Sequence, residues 1–175
     1  SPVAAAQQSG EPLNSLDVIA AVLFAALVAG EAVADRQMFA YQTEKYRRIG
    51  AGEPAGEYAA GFIDTGLWSL SRHPNYFCEC SLWAVFYLFS VAAGAGAVNW
   101  TLLGVGGLWC LFLAPHASID VAESLSSRKY AGYADYQRRV SRFFPAPPAS
   151  AEAASADDGT LEGWVWVFGA GRGGA

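Results

Sequence analysis

The stretch SRHPNYFCEC, Ser71 to Cys80, gathers a guanidinium, an imidazole, a carboxamide, a phenol and a carboxylate in one short run. An apolar run, Leu82 to Val98, follows directly. Pro74 suits the first turn of a helix, where the missing N–H has no intrahelical partner to lose. Such a helix points unpaired N–H groups and a partial positive charge at whatever lies before it. Arg72 and His73 stand at that end, so the expected chemistry is a cradle for phosphate or another anion. Asn75 and Glu79, four residues apart, share one face of the helix, with Tyr76 beside them. A carboxylate such as Glu79 is expensive at membrane depth unless it is paired or used.

A second cluster comprises Glu123, Arg128, Lys129, Tyr130, Tyr133, Tyr136, Arg138 and Arg139. Arginine presents a planar fork to phosphate, and tyrosine rings can stack on a base or bond a ribose hydroxyl. The plainer alternative is a basic juxtamembrane helix drawn to anionic lipid. Asp35 and Gln37 form a third polar group. The three cysteines, Cys78, Cys80 and Cys110, make no disulfide framework and are expected as free thiols. With two histidines in the chain, neither at a zinc spacing, no metal is expected.

What must position these groups is membrane helix. The 175 residues are 53% hydrophobic and 15% charged, against about 25% charged in a soluble domain. The apolar residues bunch into Leu16–Val33, Leu82–Val98 and Trp100–Ala114, the last extended by flanks reaching His116 and Ile119. Each approaches the about 17–25 residues needed to cross a bilayer core. The expectation is an all-α integral membrane bundle of about three transmembrane helices with a cytosolic-side amphipathic and juxtamembrane helical portion. Arg36, Lys45, Arg47, Arg48 and Arg72 precede the second block, and Arg128, Lys129, Arg138, Arg139 and Arg142 follow the third. Three crossings put both basic groups on one side, the inside, and the N-terminus outside. The net charge of −5 and an acidic tail make nucleic acid an unlikely partner.

Along the chain, residues 1–14 form a polar lead, 15–145 the membrane domain and 146–175 a low-complexity acidic tail. Asn14 or Ser15 is the expected cap of the first helix, which continues through DRQMFAYQTEKYRR at headgroup level. GAGEPAGEYAAG breaks it, and AAGAGAVNW turns the second helix into the third. Gly104, Gly106 and Gly107 suggest close helix contact. Helix is expected again to about Arg139, with Pro145 as the stop. Trp164, Trp166 and Phe168 of the tail need a surface to lie against, either lipid or a partner protein. Ser1–Pro12 carries no basic residue and does not read as a targeting peptide.

GLWSLSRHPNYFCE, followed by ESLSSRKYAGYADYQRRVSRFFP, resembles the C-terminal half of the steroid 5-alpha-reductase-like membrane family, which includes sterol reductases and, more distantly, isoprenylcysteine methyltransferases. The matching stretches cover most of residues 31–145. The resemblance implies a helical membrane bundle holding NADPH in a pocket open to the cytosol. Carried over, Asp35, Arg72, His73, Asn75, Tyr76, Glu79, Glu123, Arg128, Tyr130 and Tyr136 fall at the family's cofactor contacts; the catalytic residue stays unassigned. The implied reaction is hydride transfer from NADPH to an activated carbon–carbon double bond of a lipid or sterol, with an acid polarising the conjugated carbonyl. Cys78 stands where the family carries glycine, and the family's N-terminal helices are expected to be absent here. A non-catalytic relative serving as accessory subunit of a membrane complex, holding no cofactor if degenerate, is the alternative function. An S-adenosylmethionine-dependent methyltransferase is the third. The family implies the endoplasmic reticulum membrane, with a mitochondrial or plastid inner membrane as the alternative.

Overall fold

The computed structural model describes residues 12–150, so most of the N-terminal lead and the aromatic tail at Trp164, Trp166 and Phe168 lie outside the described residues. Five α-helices carry the fold: α1 (Ser15–Ala51), α2 (Pro74–Ala92), α3 (Leu102–Leu113), α4 (Ser118–Lys129) and α5 (Tyr133–Arg139). Two 3-10 turns, Gly56–Tyr58 and Gly66–Ser69, lie between α1 and α2, and no strand occurs among the described residues.

The start of α1 follows from local chemistry. Asn14 accepts from the Leu16 N–H at 2.9 Å while its own N–H donates to Asp17 at 2.9 Å, a reciprocal cap that satisfies two orphan donors. The same Asn14 amide donates to the Ala92 carbonyl at 3.0 Å, tying the beginning of α1 to the end of α2. The two helices therefore run antiparallel, and their interface is the most extensive in the fold. At 37 residues α1 is about 55 Å long, far more than an about 30 Å hydrocarbon core needs. Its second half carries the charges. It stops at Gly52, whose φ of 66° is costly for a residue with a Cβ.

Two segments are long and apolar enough to cross a membrane, Ser15–Ala51 and Leu102–Lys129, and almost none of their apolar stretch is buried within the protein. Val18, Val22, Leu103 and Leu111 all stand about 60% or more exposed, at 61%, 64%, 67% and 59%. An apolar surface of this kind in a soluble monomer would be an association liability. The second segment bends between α3 and α4, where His116 takes a φ of 64°. Of the three crossings expected from sequence, the α2 block is not among these two segments; Asn75, Tyr76 and Glu79 near its start dilute its apolarity.

The glycines of α3 are a correction. A Cβ placed on Gly104, Gly106 or Gly107 meets nothing within 4 Å, so they do not mediate a helix contact within the described fold. The close approach is at Gly30 of α1, where a Cβ would come within 3.1 Å of the Cys78 sulfur on α2. The bulk that Cys78 adds is thus accommodated by a missing side chain on the facing helix.

The tightly packed interior gathers where the start of α2, the end of α3, α4 and the segment after α5 meet. Cys80, Ile119 and Phe143 form one buried group, with Tyr76, Phe77, Trp109, Phe112 and Leu113 against it. Tyr133, Tyr136 and Val140 form a second, with Phe62 and Tyr130 packed on it. The single helix expected up to Arg139 is broken at Tyr130–Gly132, which lets α5 fold back on the loop carrying Phe62 and Trp68.

Candidate functional site

The turn before α2 is held by hydrogen bonds to the end of the described chain. The Arg72 N–H donates to the Ser141 carbonyl at 2.8 Å, and the Ser71 hydroxyl donates to the Phe143 carbonyl at 2.8 Å. That hydroxyl also accepts from the His73 N–H at 3.1 Å. Pro74 then opens α2, as expected from its fixed φ. Arg72, His73 and the tyrosine-rich α5, some sixty residues away, are thus brought together.

They do not form an open cradle. Arg72 is 8% exposed, and every guanidinium nitrogen has a partner within the chain. Its Nε and Nη2 donate to the two oxygens of Glu123 at 2.7 and 3.2 Å. Its Nη1 donates to the carbonyls of Gln137 at 2.8 Å and Val140 at 2.6 Å. The geometry is the two-pronged one that a guanidinium makes with a carboxylate. Glu123 is in turn surrounded: His73 Nε2 lies 3.2 Å from one oxygen, and Gln137 Nε2 donates to the other at 3.0 Å. Arg142, paired with Asp120, has its Nε 4.0 Å from that same oxygen. Burial holds the His73 imidazole below its usual pKa, outweighing the pull of the Glu123 carboxylate in the other direction.

The remaining expected residues distribute around this knot. Tyr136 is 2% exposed and donates to the Trp68 carbonyl at 2.6 Å, so its phenol is committed to the fold. Burial pushes its pKa up, and that of Tyr133 up to about 12. The Trp68 indole donates to the Ala34 carbonyl at 3.1 Å, carrying the link on to α1. Asp35 is exposed on α1 and accepts from Asn75 at 3.1 Å, leaving the Asn75 carbonyl oxygen buried with no hydrogen-bond partner among the described residues. Glu79 accepts from the Trp83 indole at 2.8 Å. Tyr130 packs on Phe62 beneath the ammonium groups of Lys45 and Lys129, while Arg128 is exposed.

Tyr76 joins two environments. Its ring stacks on His73 at 5.5 Å, with 9° between the planes, and meets Phe112 at 4.6 Å. Its outer side lines an open cleft of about 880 Å³ at the bend between α3 and α4, with Cys110, Leu111, His116, Val121 and Leu125.

Sequence reasoning missed Gln137, Arg142 and Lys45. Lys45 is 5% exposed, donates to the Gly61 carbonyl at 2.9 Å and lies over the rings of Tyr41, Tyr46 and Tyr130. Its spacing from Tyr41 was the one available signal, since residues four apart on a helix are neighbours. Gly61, at φ 82°, presses on the Tyr130 ring so closely that a Cβ would sit 2.4 Å from it. Among the described residues no group of three or more His, Cys, Asp or Glu could hold a metal.

An uncharacterized protein of Schizosaccharomyces pombe, C594.04c, is 35% identical over 153 residues, which is 83% of this chain and 44% of the relative. The chain therefore spans less than half the length of that relative. No solved structure matches. Residues 1–140 match the family model described as "Protein of unknown function (DUF1295)", and the chain belongs to that family.

Proposed function

We propose that the chain carries the nucleotide-binding half of a steroid 5-alpha-reductase-like membrane enzyme, one that reduces a carbon–carbon double bond of a lipid or sterol with NADPH. The observation that carries this is the position of Tyr76, between a buried polar knot on one side and an apolar cleft on the other. A lipid reductase needs such a boundary, because a charged cofactor and an apolar substrate must meet at one atom. The cleft is lined largely by the exposed apolar segment Leu102–Lys129, where a lipid arrives without crossing water. The reading takes α2 as the third membrane crossing, which puts the knot, α4 and α5 on the basic, cytosolic side.

The side chains fit the cofactor in part. The partnerless Asn75 oxygen offers an acceptor to a ribose hydroxyl, with exposed Asp35 beside it as a second. Arg128 and Lys129 offer cationic groups at the surface, and Tyr76 and Tyr130 offer ring faces. His73, Glu79, Glu123 and Tyr136 frame this region. When bound, NADPH supplies a hydride to the carbon β to the carbonyl. The chain's own task is to orient the double bond at Tyr76 and to keep water from the cleft.

Arg72 favours the second function in one respect: its internal saturation suits a relative that keeps the fold as an accessory subunit and binds no nucleotide. Turnover separates the two. Purified protein in lipid nanodiscs is given NADPH deuterated at the transferable position and a long-chain or steroidal enone, and the product is read by mass spectrometry. The enzyme puts one deuterium on the β-carbon, and Tyr76→Ala removes at least nine-tenths of the rate. Absence of label with every enone, alongside a stable co-purifying partner lost on deleting residues 160–175, would select the accessory role. Methyl transfer from S-adenosylmethionine in the same preparation would select the methyltransferase. The reading also places the protein in the endoplasmic reticulum, which immunolocalisation against mitochondrial and plastid markers checks.

A further inference from the structure

The carboxylate of Glu123 is held as a bound oxyanion would be. It takes two donors from Arg72, one from Gln137 and a ring nitrogen of His73, all within 3.2 Å, at the N-terminal end of α2. It sits at 9% exposure, yet it is tethered by a side chain with rotatable bonds on a different helix, α4. A second arginine, Arg142, itself paired with Asp120, has its Nε 4.0 Å from the oxygen that Gln137 bonds. One carboxylate between two guanidinium groups has two discrete places to go. The first turn of α2 adds backbone N–H groups with no intrahelical partner, since helix starts leave them unused. Phosphate has the charge and acceptor geometry to take over the same donors.

We propose that Glu123 is an internal stand-in for a phosphate group: it closes the Arg72–His73–Gln137 site when no ligand is present and swings toward Arg142 when a phosphate-bearing ligand takes its place. The inference rests on the reductase assignment for the identity of that ligand, NADPH, but not for the exchange itself. A site closed in this way binds with an apparent affinity lowered by the fraction of time it is open, so removing the competitor tightens binding. It also orders events. Arg72 ties α2, α4 and the segment after α5 together, so the exchange couples arrival of the ligand to the position of α4, whose residues Val121 and Leu125 line the apolar cleft. An empty enzyme then holds its cleft in one arrangement and a loaded enzyme in another.

The test uses the full chain in maltoside micelles, which contain no phosphate. Wild type, Glu123→Gln and Glu123→Asp are titrated calorimetrically with inorganic phosphate, NADPH and NADH, and thermal unfolding is followed with and without phosphate. A parallel titration with phosphatidic acid in mixed micelles separates a lipid headgroup from a soluble phosphate. Glu123→Gln keeps the shape and removes the competing charge; Glu123→Asp keeps the charge but shortens the tether, drawing the carboxylate back from its donors. Both variants bind inorganic phosphate at least tenfold and severalfold more tightly than wild type, respectively, and phosphate raises the unfolding temperature of Glu123→Gln more than that of wild type. Equal or weaker phosphate binding by the folded variants overturns the proposal. If wild type binds NADPH but the variants gain nothing, the exchange fails and the reductase assignment stands. If no protein binds NADPH while Glu123→Gln takes phosphate, the assignment fails and the exchange stands.

Discussion

Replacing Arg72 with methionine should be among the most damaging single changes available in this fold. The substitution keeps much of the side-chain volume but removes the guanidinium. It leaves the Glu123 carboxylate, 11% exposed as a side chain, bonded only through His73 and Gln137, with the Arg142 guanidinium 4.0 Å away. It also strips the Gln137 and Val140 carbonyls of their Arg72 donor. Breaking one side of a buried ion pair costs about 3–5 kcal/mol. The orphaned carbonyls place the cost at the upper end of that range, since each hydrogen bond lost contributes about 1 kcal/mol. Replacing both partners, Arg72→Met with Glu123→Leu, removes the stranded charge and should recover about 2–3 kcal/mol, leaving the unpaired carbonyls as the residual cost. The assay is equilibrium unfolding in maltoside micelles with a rising fraction of dodecyl sulfate, followed by helical circular dichroism. A double-mutant cycle gives the coupling directly. An Arg72→Met cost below about 1 kcal/mol, or a double mutant as unstable as the sum of the singles, would mean that Arg72 does not face Glu123.

Four other perturbations probe separate parts of the structure. Gly61→Ala adds a Cβ at 2.4 Å from the Tyr130 ring at a φ of 82°, and should cost about 2–4 kcal/mol from overpacking and backbone strain together, read in the same unfolding assay. Gly107→Ala faces open space on α3 and should be neutral or stabilising by up to about 1 kcal/mol, whereas Gly30→Ala, 3.1 Å from the Cys78 sulfur, should destabilise and be relieved by Cys78→Gly. His73 is held neutral by burial, so its folded pKa lies below the unfolded value of about 6.5. Protons then bind the unfolded chain preferentially, and the stability His73 contributes is present above that unfolded value and lost as pH falls below it. The drop in unfolding temperature between neutral and mildly acidic pH should be smaller in His73→Gln than in wild type.

Local signals in the sequence were legible where the chemistry is local. Asn14 followed by Asp17 three residues on, Gly52 past the last turn of α1, and Pro74 at the head of α2 each fix a helix end through groups within four residues. The polar character of the Arg72 turn and the aromatic character of α5 were also readable, as was their meeting at one end. What the sequence could not carry was the partner of Arg72. Glu123 is 51 residues away, and nothing in its own neighbourhood distinguishes a carboxylate aimed at a buried arginine from one in water. The α3 glycines show the reverse error: small residues permit close approach but do not require it, and the approach went to Gly30 instead. The break at Tyr130–Gly132 was missed because the aromatic pattern runs through it without a proline, whereas at the His116 bend Pro115 stands immediately before the turn.

The claim that the Arg72 turn and the tyrosine-rich segment enclose one nucleotide is tested most directly by amide hydrogen exchange of the full chain in micelles, with and without saturating NADPH. Slowed exchange appearing together in residues 72–79 and 120–137, and absent from the Asn99 turn at the far end of α2, is the predicted result. No change in either segment, or a change in one alone, would contradict it.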